Sequence, residues 1–198
     1  MDGVFLSFSA RFRPPGLTLS AWLCYVFKEI LRDKIEKKSM PIESQELRRV
    51  MGHFATGVTV ITTRDNEGAP NGLTANAFMS LSLNPPLVLI SVDKAATCYT
   101  CFESQNGFTV NFLSEDQEEI SRRFATKGAD KFAGLKWHAG SNGAAIIEGA
   151  MGYVECKIIQ CHDGGDHTIV VGEIINASAT GERPLLFFRG KYQRLPGT

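Results

Sequence analysis

Between Glu43 and Ala55 apolar residues recur at Leu47, Val50, Met51 and Phe54, an i, i+3, i+4, i+7 stripe with Ser44 placed to cap it. The spacing predicts a helix packed on a core, with His53 beside the stripe. Val58 to Thr63 and Leu87 to Val92 are β-branched and apolar runs bounded by Gly, Pro and Asn, and both read as strands. Arg64 to Gly68 reads as a turn, and Asn84-Pro85-Pro86 starts the second run at its edge. Ala95 to Ser104 is a short helix candidate. Phe108 to Leu113 alternates Phe, Val and Phe against Thr, Asn and Leu, the pattern of a half-buried strand. Ser114-Glu115-Asp116-Gln117 has capping-box spacing and opens a helix through Ile120 and Phe124 that Lys127-Gly128 ends. Tyr153 to Cys161 and Thr168 to Ile175 flank Asp163-Gly164-Gly165-Asp166, a tight reversal, and Leu185 to Tyr192 supplies a last strand. Strands in series without a βαβ rhythm predict a mainly β fold, an antiparallel barrel with peripheral helices.

Composition narrows the class. The chain of 198 residues is 43% apolar and 21% charged, as expected of one globular domain and not of a disordered or membrane-spanning chain. Residues 1–39 stand apart: the apolar run Leu17 to Phe27 is too short to span a bilayer and gives way to the charged run Lys28 to Lys38. They read as an extension upstream of a working domain at 40–198, with a surface or partner-bound helix as the other reading. The extension carries 7 Lys/Arg against 4 Asp/Glu and the remainder 14 against 17, so the net zero charge hides +3 and −3 but no nucleic-acid footprint. Five cysteines, an odd number without a secretory pattern, suggest free thiols in the cytoplasm. Cys98-x-x-Cys101 with Cys156 and Cys161 could offer four zinc ligands, but the second pair has the wrong spacing, and buried small hydrophobes is the favoured reading; no metal is expected.

Nucleophile, zinc, Walker and dinucleotide fingerprints are absent. The informative stretch is Gly72 to Pro86, where small and hydroxyl residues stand between the two strand-like runs. Small side chains let a ligand approach backbone N–H groups, and Thr74, Asn76, Ser80 and Ser82 add short polar groups suited to a ring edge or a phosphate. Ser80 and Ser82 are two apart, so an extended chain would aim both hydroxyls the same way. Lys94 and Thr97, at the start of the 95–104 helix candidate, could complete an anion site; a solvated lysine, or one paired with Asp93, is the alternative. On local grounds alone, an Asx-type turn at a strand end is the better reading of Thr74-Ala75-Asn76.

In order and spacing, Gly57 to Thr63, Gly72 to Ser82, Pro85 to Val92, Phe108 to Leu113, Gly165-Asp166-His167 and Val171-Gly172-Glu173 resemble the flavin reductase family with the FMN-binding split-barrel fold, the reductase components of two-component flavin-dependent monooxygenases. The resemblance runs from about Glu46 to Tyr192. It implies an antiparallel, Greek-key split barrel, a homodimer, and transfer of a hydride from NADH or NADPH to FMN or FAD for an oxygenase partner. An absence of acid–base constellations fits that chemistry, because both reacting atoms belong to cofactors. The resemblance places Thr74, Ala75 and Asn76 at the flavin ring and Ser80, Leu81, Ser82, Lys94 and Thr97 at its phosphate. It further places Phe124 and Ala125 of an R-F-A segment near the flavin, His167 of Gly165-Asp166-His167 on the nicotinamide side as the catalytic candidate, and Tyr192 of the terminal strand at the site or a subunit contact. A flavin-binding electron carrier on the same barrel is the rival reading.

Overall fold

A computed structural model describes residues 42–103, 107–181 and 183–196. Two compact units divide the chain, Met1–Arg48 and Arg49–Thr198. The extension expected at residues 1–39 lies outside the described residues. Helix α1 (Ser44–Met51) has no buried residue. Its stripe was expected to pack on a core, yet Val50 is 47%, Met51 59% and Phe54 just beyond it 71% exposed. Periodicity identified the apolar face correctly but could not say what covers it.

The second unit holds the strands, and every pairing is antiparallel. They are β1 (Thr56–Gly57), β2 (Thr59–Arg64), β3 (Pro70–Ala75), β4 (Phe78–Leu83), β5 (Pro86–Asp93), β6 (Phe108–Phe112), β7 (Trp137–Ala139), β8 (Ala145–Ile147), β9 (Gly152–Gly164), β10 (His167–Ala179), β11 (Leu186–Phe188) and β12 (Lys191–Gln193). Helix α2 (Tyr99–Glu103) follows β5, shorter than the sequence suggested, and α3 (Glu118–Ala125) follows β6. The terminal segment is two short strands, not one, because Arg189 and Gly190 both take positive φ and reverse the chain between them.

Seven strands form one sheet in the order β3-β2-β6-β9-β10-β5-β4. Its two edges, β3 and β4, are consecutive in the chain and joined only by Asn76 and Ala77. Three Cα steps reach at most about 11 Å, so the sheet has to curl until its edges come close. The result is a barrel split between β3 and β4. Across its interior the rings of Phe78 and Phe112 lie 5.4 Å apart. Ile61, Ile90, Phe102, Phe108 and Val170 fill the inside, with Cys98, Cys101 and Cys156 buried among them as small apolar groups. Burial pushes the Cys98 thiol up to about 11 and Cys156 up to about 12.

The strand expected to be half-buried is buried on both faces. Thr109 and Asn111 are fully inaccessible, because the β7–β8 hairpin covers them. Thr62 Oγ1 donates to Ala145 O at 2.5 Å, and the Asn111 amide bonds Ala145 O at 3.2 Å and the Ile147 N–H at 2.8 Å.

One buried charge lies outside the barrel interior. Glu155, 1% exposed, takes bonds from Asn176 Nδ2 at 2.6 Å, Ser141 Oγ at 3.0 Å and Asn142 N at 3.3 Å. Burial alone would raise its pKa, but these donors together outweigh it and leave the carboxyl below its ordinary value. A lowered folded-state pKa means stability that is present above the unfolded value and lost as pH falls through the folded one. Glu155→Gln is expected to destabilise by about 1.5–3 kcal/mol near neutrality. The deficit, read from urea melts, should shrink as pH drops below about 4.3, the ordinary glutamate value.

Candidate functional site

The small-residue stretch from Gly72 falls on two strands, β3 and β4, and the split runs between them. On β3, Leu73 and Ala75 face the interior opposite Ile61 and Thr59, and Thr59 Oγ1 donates to Ala75 O at 2.6 Å. Thr74 lies opposite Val60 and points the other way. Its hydroxyl donates to Ser121 O on α3 at 2.6 Å. Thr74 therefore offers the split its backbone, not the hydroxyl anticipated from the sequence.

Helix α3 clamps this wall from behind. Ser121 Oγ shares a 2.8 Å hydrogen bond with Tyr192 OH, and the Arg122 guanidinium stacks 4.7 Å from the Tyr192 ring centre. Phe124, 1% exposed, sits under Gly72, where a Cβ would come within 3.1 Å of its ring. Lys131 Nζ donates to Gly72 O at 2.8 Å. Phe124 is thus a buried support behind the wall, and Tyr192, half-buried, braces α3 through Ser121 and Arg122. Ala125 is exposed at the end of α3. Ser121 and Lys131 carry no local signal; only the fold brings them to β3.

Beside the two-residue link lies a cavity of about 350 Å³, walled by Phe54, Phe78, Phe112 and Leu113 and edged by Thr59 and Asn76. Thr56 also lines it, and among the described residues Thr56 Oγ1 is the buried side-chain oxygen without a hydrogen-bond partner. Apolar walls with a few polar groups are the usual make-up of a small-molecule site. The Thr56 hydroxyl therefore has hydrogen-bonding capacity to offer a ligand seated in the cavity. The arrangement suits a flat heteroaromatic ring with a polar rim, so the residues present fit a flavin.

Farther along β4 the two serines separate. Ser80 lies opposite Val88 and Ser82 opposite Leu87, with Leu81 the extra residue of a bulge. Neighbouring partner residues face opposite sides, so the hydroxyls fall on opposite faces and not the same one. A bulge on an edge strand also leaves backbone groups unpaired, so the 80–82 segment remains suited to an anion through a mixed set of donors. The four residues from Asn76 to Ser80 span about 13 Å.

At the other end of β5, the register sets Asp93 opposite His167 at the start of β10. Ser91 N bonds Ala77 O at 3.1 Å, so the Asn76–Ala77 link and His167 share one rim of the barrel, two strand spacings or about 10 Å apart. His167 falls on the outward face with Asp93, whereas Asn76 lines the inner cavity, so one chain does not bring them into a single pocket. Asp166 Oδ1 meets His167 Nδ1 at 2.7 Å, and that bond holds the Asp166 carboxyl below its ordinary pKa.

Lys94 does not start a helix. Residues 94–98 form turns ahead of α2, leaving Thr97 exposed, and Lys94 is tied to the β9–β10 turn: its ammonium bonds the Asp163 carboxylate and, at 2.6 Å, Gly165 O. Asp93 instead caps the Ala95 N–H at 2.7 Å.

Residues 51–196 match the family model of the flavin reductase like domain. The chain belongs to that family. Among curated relatives it is 43% identical over 157 residues to the flavin-dependent monooxygenase reductase subunit HsaB of Mycobacterium tuberculosis, covering 78% of this chain and 83% of that one. It is 42% identical over 160 residues to an NADH-dependent FAD reductase of Streptomyces globisporus, covering 78% and 87%. A solved structure of the Streptomyces globisporus NADH:FAD oxidoreductase SgcE6 with NAD and FAD fragments superposes with a TM-score of 0.75 at 41% identity, covering 79% and 94%. Flavin reductase PheA2 gives a TM-score of 0.72 at 39% identity, covering 79% and 100%. Among the described residues, no helix of this flavin reductase like protein is long and apolar enough to cross a membrane, and no cluster of three or more His, Cys, Asp or Glu could hold a metal ion.

Proposed function

We propose that the protein is an NADH-dependent flavin reductase that supplies reduced FMN or FAD to a partner monooxygenase. The observation that carries the reading is the ring-sized cavity at the Asn76–Ala77 link, with the unpartnered Thr56 hydroxyl in its wall. When both nucleotides are bound, they supply the chemistry between them, the dihydronicotinamide giving a hydride to N5 of the flavin.

This chain's residues bind and orient. Phe78 and Phe112 give the ring an apolar wall that excludes water. Asn76 and Thr56 meet its polar edge, and the β3 backbone at Thr74 and Ala75, held by α3, forms its rigid side. The Ser80–Leu81–Ser82 segment receives the phosphate with one serine hydroxyl and the bulge backbone. His167, its Nδ1 occupied by Asp166, has Nε2 left to meet the nicotinamide. Holding two rings in register supplies about 7–11 kcal/mol of the barrier without any protein nucleophile.

The active form in this reading is a homodimer. Val50, Met51 and Phe54 form an apolar patch of 47–71% exposure, and Phe54 also walls the cavity. A second copy covering that patch would close the open side of the site. The buried free thiols of Cys98, Cys101 and Cys156 support a reducing, cytoplasmic setting.

The test follows NADH absorbance with purified protein and each flavin, for the full chain and for residues 40–198. Both forms are expected to consume NADH in the presence of FMN or FAD at rates within a factor of about two, the range of surface-level effects. Tight flavin binding without NADH or NADPH consumption would replace this reading with that of an electron carrier.

A further inference from the structure

The Gly165-Asp166 reversal that delivers His167 is closed on its own hairpin by the β9–β10 ladder, where Gly164 pairs with His167 and Asp163 with Thr168. Gly165 takes φ +81, Gly164 and Gly165 carry no side chain, and residues 161–166 are exposed. A second hold comes from 69 residues earlier in sequence. Lys94 Nζ reaches the Asp163 carboxylate on one strand of the hairpin and Gly165 O in the turn, and Lys94 N donates to Asp166 O at 3.0 Å. One residue therefore bonds three of the four residues that precede His167.

We propose that Lys94 is a positioning residue for nicotinamide binding, a latch that holds the His167 hairpin against the end of β5, and not a ligand of the flavin phosphate. The proposal rests on the flavin reductase reading above. Two of the three ammonium donors are committed to the hairpin, and an anion arriving there would meet the charge of Asp163, 80% exposed, beside the lysine. The pair titrates as a mutual ion pair should, the hydrogen bond between them raising the Lys94 pKa and lowering that of Asp163. Tyr99 OH, 2.9 Å from Thr168 Oγ1, pins the strand one residue beyond His167, so losing the latch frees the turn and leaves β10 in place. Asp166, whose carboxylate orients the His167 ring, moves with that turn.

The test compares Lys94→Met, Asp163→Asn, their double variant and Lys94→Arg. Each is measured for KM(NADH), kcat, flavin Kd by fluorescence quenching, and deuterium uptake of the peptide covering residues 163–168. Lys94→Met is expected to raise KM(NADH) roughly fivefold, to change kcat and flavin Kd by less than about twofold, and to speed uptake in that peptide. Asp163→Asn should follow it, the double variant should be no worse than either single, and Lys94→Arg should recover most of the loss. A fivefold weaker flavin Kd in Lys94→Met would overturn the proposal and make Lys94 the phosphate anchor. Unchanged KM and unchanged uptake would overturn it too. If the wild-type protein consumes no NADH with either flavin, the functional reading fails, while faster or unchanged uptake still decides whether Lys94 latches the turn.

Discussion

His167→Ala is expected to lower kcat/KM for NADH by about 10- to 100-fold, the equivalent of a charge-assisted hydrogen bond worth about 1.5–3 kcal/mol. Flavin Kd should move by less than about threefold, because the cavity at Asn76 lies on the inner face and His167 on the outer face of the rim. The asymmetry is the content of this expectation. Stopped-flow mixing of NADH with flavin-loaded protein separates the bimolecular nicotinamide step from the reduction itself, and titration of flavin fluorescence gives the other term. His167→Gln, which keeps a donor of similar reach, should recover part of the loss. Equal damage to flavin and nicotinamide binding would mean that the hairpin serves the fold and not the reaction, and unchanged kinetics would remove His167 from the site.

Phe124→Ala should be the most destabilising single change near the site. Its ring is 1% exposed, stacks edge-on to Phe132 at 5.2 Å and fills the space against Gly72. Truncating a buried Phe costs about 3–5 kcal/mol, and at about 2–4 °C per kcal/mol the melting temperature should fall by roughly 10 °C. The void opens directly beneath β3, so flavin affinity should weaken roughly tenfold at a temperature where the variant remains folded. Phe124→Leu, which fills most of the volume, should restore much of both. A variant that melts early yet binds flavin as tightly as the parent would show that the wall does not depend on α3 for its position. The reciprocal change, Gly72→Ala, meets the same ring from the other side and should reproduce the affinity loss, since its Cβ would sit 2.6 Å from Ile61 O as well.

Local signals were reliable where the determinant is local. Gly165 takes the positive φ that its place in the hairpin turn required, and the strands expected from Val58, Leu87, Phe108 and Tyr153 begin within one residue of where β-branched patterning set them. Errors arose where an outcome depended on what covers a face. Thr109 and Asn111 looked solvent-facing by alternation but are sealed by the β7–β8 hairpin, and the α1 stripe looked like core yet is exposed. The Ser80/Ser82 pair failed for a related reason: a bulge at Leu81 changes the face without leaving a mark in composition.

The amino-acid order alone determined the strands at Val58, Leu87, Phe108, Tyr153 and Thr168, the Gly165 turn and the motif series that marks the flavin reductase family, because backbone preference and side-chain alternation act over a few residues. Tertiary structure decided the rest. It curled the sheet so that β3 and β4 meet at Asn76–Ala77, turned the Thr74 hydroxyl to the back of the wall and set Ser121 and Lys131 behind it, and gave Lys94 to a turn 69 residues away. Those outcomes depend on register and on contacts between distant segments, and the short-range pattern of a chain holds no record of either.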